Sequence, residues 1–327
     1  CNNAQIRSHY HVIREAQETF IAVLPFFHSY GMAIAMVLPL SIGATLIMFP
    51  KFVAKDILKA VKDYRATVLP GIPSIYSVIN TNKEIKTKYD ISSINFCISG
   101  AAPLPVTTLE EFEHKTGGKI FEGYGLSESS PVTHCNCVSG QRKTGSIGVP
   151  VPDTDCKIID LETGEPVVPG EPGELCIKGP QIMQGYWQRE DETRITLKDG
   201  WLHTGDVARM DEDGFFYIVE RKKDMIICEG FNIYPRELEE FFLEHPKVAD
   251  AAVIGQPDKL RGEKVIAYVK LKENTEATPD ELMSFCRDNL VNYKVPKKIL
   301  FTDEIPTNIA GKKLRRVLRE KQESPES

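Results

Sequence analysis

The sequence predicts an α/β protein with a large domain built on a parallel sheet, a β-barrel-like subdomain, and a small α+β domain at the carboxyl end. Three observations predict this organisation. Short apolar runs alternate with helical segments over the first 125 residues, and Pro and Gly recur every few residues from 145 to 219. A charged stretch, Glu220-Arg-Lys-Lys-Asp224, then precedes a second pattern of helices and strands. The chain has 327 residues, so we expect two domains, 1–220 and a mobile 221–327.

The first part of the chain contains the predicted parallel strands and their crossover helices. Five short apolar runs predict buried strands at 21–24, 44–49, 67–69, 94–98 and 119–122. Helical spacing between them predicts helices at 56–65, 73–79 and 105–115. The apolar stretch 32–48 contains a Pro, a Ser and a Gly, so it predicts a core helix followed by a strand rather than a membrane span. Such alternation is typical of parallel strands with right-handed crossovers.

The later elements have a different character. Short runs at 156–159 and 174–178, separated by Pro and Gly, predict antiparallel strands of the barrel-like subdomain. Beyond the charged stretch, a helix begins at Pro235, and strands are predicted at 249–254 and 265–271. A further helix begins near Thr278, where Thr278 and Glu281 have the spacing of a capping box.

Composition excludes some functions and bears on the location. With 40 basic and 46 acidic residues the net charge is −6, which disfavours a nucleic-acid binder. The eight cysteines are scattered without a disulfide or zinc spacing, which predicts reduced cysteines in a cytoplasmic protein. The chain begins with Cys1 and not Met, so we expect its natural start to lie upstream.

Two loops follow predicted strands directly, where parallel sheets bind ligands. They are Gly100–Pro103 and Gly123–Glu128. In the second loop Tyr124 offers a flat face for a base, Ser127 a hydroxyl for a phosphate, and Glu128 a hard oxygen ligand for Mg²⁺. Taken singly, a Gly-Tyr-Gly turn or a charged run is more often structural than functional.

Motif order carries more weight than any single segment. Nine segments follow one another in the order Leu24-Pro-Phe-Phe-His-Ser-Tyr-Gly31, Ser99-Gly-Ala-Ala-Pro103, Gly123-Tyr-Gly-Leu-Ser-Glu128, Gly173-Glu-Leu, Gly179-Pro-Gln-Ile-Met-Gln-Gly-Tyr186, Asp199-Gly-Trp-Leu-His-Thr-Gly-Asp206, Arg221-Lys-Lys-Asp224, Gly230-Phe-Asn-Ile-Tyr-Pro235 and Gly311-Lys312. With these segments, the chain resembles the adenylate-forming superfamily of acyl- and aryl-CoA ligases, amino-acid adenylation domains and luciferases from about residue 20 to its end. Within that superfamily it resembles the bacterial long-chain fatty-acid–CoA ligases most.

The resemblance implies a nucleotide site. The turn Gly100-Ala101-Ala102 and the segment Gly123-Tyr124-Gly125 would enclose adenine. Asp206 would accept hydrogen bonds from both ribose hydroxyls, a task suited to a bidentate acceptor. Arg221 would hold the ribose and phosphate side, where a permanently charged fork is well matched.

The resemblance also implies residues for phosphate, metal, acid and coenzyme A. Ser127 stands where the family usually has Thr and keeps the hydroxyl for a phosphate contact. Glu128 would hold Mg²⁺ with ATP. His28 would border the fatty-acyl pocket. Gly230 and Phe231 match the segment that lines the channel for the pantetheine arm of coenzyme A.

Lys312 is the implied catalytic cation, and Lys223 is the implied hinge. A carboxylate that attacks the α-phosphate builds up negative charge, which a cation touching both groups stabilises. The smaller domain would then rotate about Lys223, withdrawing Lys312 and presenting another face to coenzyme A. The structural alternative is that Lys312-Lys-Leu-Arg-Arg316 only forms the basic first turn of a helix and has no catalytic role.

One departure and several alternatives follow. The phosphate loop of the family lies upstream of the strand at Ile21, and the first glycine of this chain is Gly31, so we expect this chain alone to bind ATP poorly.

Amino-acid adenylation domains carry Asp after the matching Phe, where this chain has His28, so an unsubstituted acyl chain fits better. Aryl acids, luciferase-like oxidation and a truncated non-catalytic relative stay open. Also open are peripheral contact with the inner face of the membrane and a homodimer.

Overall fold

The computed structural model describes residues 1–10, 13–85, 87–137, 140–308 and 312–323. The chain forms two compact units. The first comprises Cys1–Thr204 and Ala208–Ile218, and the second comprises Gly205–Val207 and Val219–Ser327. In the described ranges, no helix combines the length and the apolar character that crossing a bilayer requires.

A seven-stranded sheet and its helices form most of the first unit. A π-helix, Gly31–Val37, runs directly into the second α-helix. The regular elements are, in chain order, α1 Asn2–His9, β1 Thr19–Ala22, α2 Leu38–Ser41, β2 Thr45–Met48, α3 Ala54–Tyr64, β3 Val68–Gly71, α4 Pro73–Asn80, β4 Phe96–Ser99, α5 Val106–Thr116, β5 Lys119–Gly125, β6 Val132–Cys135 and β7 Val149–Pro150.

The strand order is β2-β1-β3-β4-β5-β6-β7. The first five strands pair in parallel, and β6 and β7 are antiparallel. The predicted strands and crossover helices are therefore confirmed, as is the helix followed by a strand over 32–48. The burial predicted for the strand at 44–49 is wrong, because β2 lies at the edge of the sheet and Met48 is 68% exposed. The strand predicted at 21–24 instead spans Thr19–Ala22. Val23 and Leu24 are buried outside the strand, because apolar character indicates burial and not strand pairing.

The central parallel strands are buried on both faces, whereas the edge strand β2 has no buried residue. In β3 and β4 every residue is buried, which agrees with the near-continuous hydrophobic runs expected of parallel sheets. α3 ends at Tyr64 and is followed by Arg65 in the left-handed conformation (φ 52°). α5 ends at Thr116 and is likewise followed by a left-handed residue, Gly117 (φ 80°). These turns close each helix and return the chain to the next strand.

A second sheet follows in the sequence. Its elements are β8 Asp155–Ile159, β9 Gly173–Lys178, α6 Glu190–Thr196, β10 Leu197–Lys198, β11 Trp201–Met210 and β12 Phe216–Arg221. The order is β10-β11-β9-β8, with β12 also paired to β11. The pairs β8–β9 and β10–β11 are antiparallel, which confirms the antiparallel character predicted for this region.

The second unit is an α+β module around a third sheet. Its elements are β13 Ile226–Cys228, β14 Phe231–Ile233, α7 Pro235–Leu243, β15 Val248–Asp258, β16 Gly262–Leu271, α8 Pro279–Asn289, β17 Lys298–Phe301 and α9 Arg315–Glu323. The order is β14-β13-β16-β15, and β17 pairs in parallel with β16. α7 and α8 contribute Leu238, Phe242 and Leu282 to its core. The small α+β domain predicted at the carboxyl end is confirmed.

The N-cap predicted at the start of α8 is present. The Thr278 hydroxyl accepts a hydrogen bond from the Glu281 backbone N–H at 3.2 Å, as predicted. The Glu281 carboxylate pairs with the Lys247 ammonium at 2.7 Å, and Lys247 and the Thr278 backbone N–H both lower the pKa of this carboxyl. A charged partner from another element therefore adds to the local cap.

A buried ion-pair cluster attaches α9 to the rest of the second unit. The Arg315 guanidinium contacts Glu220 and Glu239 at 2.9 Å each, and Asp224 at 3.5 Å. The side chain of Arg315 is 11% exposed, and those of Glu220 and Glu239 are 4% and 7% exposed. Burial raises the pKa of the Glu220 carboxyl, and Arg315 opposes that rise. One guanidinium thus compensates several desolvated carboxylates.

We expect Arg315→Met to lower the free energy of unfolding of the second unit by about 3–5 kcal/mol, because it takes a cation away from the buried Glu220 carboxylate, which the Arg315 guanidinium contacts at 2.9 Å. Hydrogen exchange at the amides of α7 and α9 measures the change. Arg316→Met is the matched control, since Arg316 is 82% exposed and pairs with Glu320 at 3.0 Å. Its expected cost is under about 1 kcal/mol. Equal protection losses in the two variants would contradict a special role for Arg315.

Candidate active site

Parallel register brings the two predicted ligand loops to the same edge of the first sheet. Gly71 lies opposite Ser99 in the β3–β4 pair, and Ser99 lies opposite Glu122 in the β4–β5 pair. The chain therefore leaves β4 at Gly100 next to the end of β5, which continues through Gly123. Carboxyl ends of parallel strands form the usual ligand edge of such sheets.

The turn Gly100-Ala101-Ala102 rests on a buried tyrosine. A Cβ at position 100 would lie 3.3 Å from the ring of Tyr30, so only glycine fits here without a shift. The Tyr30 hydroxyl donates to the backbone carbonyl of Ile98 at 2.7 Å, which holds the ring under the turn. Ala101 has a positive φ of 69° and is exposed, and Ala102 is half-buried. The turn therefore presents backbone and small side chains.

Tight backbone contacts also fix the segment Gly123-Tyr124-Gly125. A Cβ at position 125 would lie 1.9 Å from the carbonyl oxygen of Pro131, and one at position 123 would lie 3.1 Å from the Cys135 sulfur. Tyr124 is half-buried between these glycines. The His134 ring contacts the Tyr124 ring edge-on, with the two ring centroids 6.0 Å apart.

His134 is a buried neighbour of Tyr124 that the sequence did not single out. Its Nδ1 lies 3.0 Å from the Thr133 hydroxyl, and its Nε2 has no hydrogen-bond partner among the residues that the structure describes. Burial lowers the pKa of His134 to about 3. The ring is therefore neutral at physiological pH and serves as packing between Tyr124 and Phe216.

The loop after β5 reaches the segment that contains His28. Ser127 is exposed, and its hydroxyl lies 3.3 Å from that of Ser29. His28 is half-buried, and its Nδ1 accepts a hydrogen bond from the Tyr30 backbone N–H at 3.2 Å. Because that bond fixes Nδ1 as the acceptor, a proton on neutral His28 is on Nε2. The structure thus brings Ser127 close to the segment proposed to border the acid.

Glu128 has the donor chemistry that a magnesium site requires. Its carboxylate is half-buried and accepts one hydrogen bond, from the Tyr186 hydroxyl at 2.8 Å. Within the part of the chain that the structure describes, Glu128 forms no ion pair with a basic side chain, and no group of three or more ligating side chains occurs. One carboxylate together with substrate phosphates is the usual way in which proteins bind nucleotide-associated Mg²⁺. The residues present fit the ion.

The second unit brings together Asp206, Arg221 and Lys312. Arg221 Nε lies 3.4 Å from Asp206 Oδ1, and the Asp206 side chain is 6% exposed. Lys312 is half-buried, and its backbone N–H donates to the Asn308 side chain at 2.9 Å. The pKa of Lys312 is lowered to about 8, first by burial and then by the charge of Arg221, while Asp206 opposes the shift. Gly311, the other residue of the predicted Gly-Lys motif, lies outside the described residues.

The remaining predicted residues lie on the surface of the second unit. Gly230 has a φ of 82° in the turn between β13 and β14, where an L side chain would be strained. Phe231 is 51% exposed and stacks on Tyr293 with a centroid distance of 4.4 Å. Lys223 is exposed in a short 3₁₀ turn after β12. Lys223 is close enough to Lys312 to lower its pKa, as Arg221 does.

Comparison with known protein families identifies two matches along the chain. The AMP-binding enzyme family matches residues 1–187, and the AMP-binding enzyme C-terminal domain matches residues 237–312. The chain therefore belongs to the AMP-binding enzyme family.

Curated relatives of this chain include long-chain-fatty-acid–CoA ligases. A long-chain-fatty-acid–CoA ligase of Bacillus subtilis is 48% identical over 310 residues, 95% of this chain and 55% of the relative. A long-chain-fatty-acid–CoA ligase of Yersinia pestis is 41% identical over 313 residues, 95% of this chain and 55% of the relative. The chain thus spans about 55% of the length of these curated relatives.

Solved structures share the fold. ATP-bound MatB of Rhodopseudomonas palustris superposes with a TM-score of 0.93 and 31% identity, covering 99% of this chain and 63% of that one. The o-succinylbenzoate CoA synthetase of Bacillus subtilis, in complex with its acyl-adenylate intermediate, superposes with a TM-score of 0.85 and 30% identity. That match covers 100% of this chain and 64% of the other. The α/β architecture predicted from the sequence is confirmed.

The lowered pKa of Lys312 yields a pH prediction. In the folded protein the pKa is about 8, below the usual 10.5, so the unfolded chain binds the proton more tightly. The contribution of Lys312 to stability therefore increases as the pH rises from about 8 towards 10.5. NMR of ¹³C-dimethylated lysines, with Lys312→Arg to assign the signal, reports this titration directly.

Two variants with opposite expected signs test the cause of the shift. Asp206→Asn should lower the pKa of Lys312 further, because it removes the carboxylate that raises this pKa. Arg221→Gln should raise the pKa, because it removes a neighbouring positive charge. An unchanged pKa in both variants would show that burial alone sets the titration, and shifts of the same sign would contradict the charges assigned as causes.

Proposed function

We propose that this chain carries the chemistry of an ATP-dependent fatty-acyl-CoA ligase. The observation that carries the proposal is the group formed by the Lys312 ammonium, the Asp206 carboxylate and the Arg221 guanidinium. The reaction has two steps. A carboxylate oxygen of the fatty acid attacks the α-phosphorus of ATP and pyrophosphate leaves; the sulfur of coenzyme A then attacks the acyl carbonyl, AMP leaves, and the thiol proton is released.

The functional groups of the residues determine the roles that we propose for them in binding the nucleotide. Asp206 would accept hydrogen bonds from the ribose, because its carboxylate offers two acceptor oxygens. Lys312 would stabilise the charge that develops between the carboxylate and the α-phosphate. The turn 100–102 and Tyr124 would flank the adenine, and Ser127 would contact a phosphate. Glu128 would hold Mg²⁺, which supplies positive charge to the phosphates.

The roles proposed for the acid rest on the acyl-pocket residue and on the relatives. His28 has no negative charge to pair with an amino acid's ammonium group, so the segment favours an unsubstituted acyl chain. Two of the curated relatives carry the name long-chain-fatty-acid–CoA ligase. We therefore propose a fatty acid as the substrate. Since a solved structure that shares the fold is an o-succinylbenzoate CoA synthetase, an aryl acid is the second candidate.

Thioester formation requires a different face of the second unit. We propose that residues 221–327 form a mobile domain that rotates about Lys223, which is exposed. Gly230 and Phe231 would then line the path of the pantetheine arm, and the exposed Phe231 ring would pack against it. Peripheral contact with the inner face of the membrane, a cytoplasmic location and a homodimer belong to the same proposal and rest on the sequence and the resemblance.

Carboxylate-dependent ATP–pyrophosphate exchange tests the proposal. In the complete natural chain, we expect exchange to be greatest with fatty acids, because the pocket segment carries no carboxylate for a charged substrate group. The assay compares fatty acids of increasing length with aryl acids and amino acids. Exchange with aryl or amino acids alone would overturn the substrate class, and no exchange with any acid would favour a non-catalytic relative.

The two half-reactions separate the role of Lys312 from a general loss of folding. Lys312→Ala should reduce acyl-adenylate formation by about 10²–10³-fold, the range found on removing one preorganised electrostatic contact. It should spare thioester formation from pre-made acyl-adenylate, because that step does not use the cation. Lys321→Ala, which changes an exposed lysine of α9, is the control and should retain both rates. Equal loss of both half-reactions in Lys312→Ala would contradict the assignment.

A further inference from the structure

A tyrosine far along the sequence makes the one side-chain hydrogen bond described for Glu128. The Tyr186 hydroxyl lies 2.8 Å from Glu128 Oε1. The two residues are 58 positions apart, and both are half-buried. A phenolic hydroxyl can donate only one hydrogen bond, so this contact occupies one carboxylate oxygen and leaves Oε2 available.

The backbone holds Tyr186 in place. Its N–H donates to the Thr193 hydroxyl at 2.9 Å, and Thr193 lies in α6. Gly185 precedes it with a φ of 152°, and a Cβ there would lie 2.8 Å from the Thr193 methyl carbon. The Met183 N–H also donates to the Glu128 backbone carbonyl at 2.8 Å. The segment 183–186 therefore packs on Glu128 through both main chain and side chain.

The neutrality of the donor is what matters for a metal site. A lysine or arginine at this position would neutralise the carboxylate and compete with a cation for it. A phenol orients the carboxylate and leaves its negative charge in place. Outer hydrogen bonds of this kind fix the rotamer of a metal ligand and increase its affinity for the ion.

We infer that Tyr186 is a positioning residue that orients the Glu128 carboxylate for Mg²⁺ bound with the nucleotide. This inference rests on the proposed function, because it takes Glu128 as the ligand of the ion. Tyr186, which precedes α6, would act on metal binding alone. Binding of the adenine and the ribose would not depend on it.

The chain offers a matched pair of variants. Tyr186→Phe keeps the ring and removes only the hydroxyl that reaches Glu128. Tyr217→Phe is the control, because the Tyr217 hydroxyl donates to Asp211 at 3.0 Å and is likewise half-buried. Both variants are made in the complete natural chain, and thermal denaturation checks that each remains folded.

Mn²⁺ binding gives a readout that does not depend on turnover. Electron paramagnetic resonance measures the affinity for Mn²⁺ in the presence of a non-hydrolysable ATP analogue. We expect Tyr186→Phe to weaken Mn²⁺ binding about tenfold, the lower end of the range for loss of an outer-shell partner. AMP affinity, measured with EDTA present, should stay unchanged in this variant. Tyr217→Phe should change neither quantity.

The outcomes separate this inference from the proposed function. Unchanged Mn²⁺ affinity in Tyr186→Phe would overturn the inference, as would an equal loss of AMP binding, which signals a general distortion. A parent chain that binds no Mn²⁺ with nucleotide would overturn it as well. ATP–pyrophosphate exchange by the same parent preparation tests the proposed function. The Mn²⁺ measurements on Tyr186→Phe test only the role of Tyr186.

Discussion

The parallel register of three neighbouring strands is the constraint on which the first unit depends. Gly71, Ser99 and Glu122 lie side by side because β3, β4 and β5 pair without a shift. A displacement of one residue would turn every side chain to the opposite face and separate the loops that follow. The buried residues of β3 and β4 resist such a displacement, since it would disrupt the side-chain packing on both faces of the strands. Packing of the core therefore determines where the turn 100–102 and Tyr124 lie.

In the second unit, buried ion pairs determine the position of α9. Arg315 lies among Glu220, Asp224 and Glu239, and its removal from water is compensated by their carboxylates. Lys312, three residues earlier, has neighbours of both signs, and burial lowers its pKa. The same short segment thus contains a fully compensated cation that fixes the helix and a less compensated cation that suits electrostatic catalysis.

Local pattern predicted most of the fold, because strands and helices differ in the period of their apolar residues. It placed β1 two residues too late, since Val23 and Leu24 are buried without pairing. At Thr278 it identified the cap but missed that Glu281 has Lys247 as a partner from another element. For the site, motif order identified Tyr124, Glu128, Asp206 and Lys312, whose proposed roles stay predictions. It gave no role to Tyr30, Tyr186 or Arg315, because their contacts join residues 58 to 95 positions apart or lie beneath a turn.

The glycines of the ligand edge also bear on how this site can change by mutation. At Gly100, Gly123 and Gly125 an added Cβ would meet a tyrosine ring, a cysteine sulfur or a backbone carbonyl within 3.3 Å. The surface offered there is therefore peptide backbone, and few single substitutions could alter it without moving the sheet. Phe27 differs from these glycines, because its side chain is 79% exposed and a substitution there meets little steric resistance. Sequence variation without movement of the backbone is therefore open at Phe27 and closed at the three glycines.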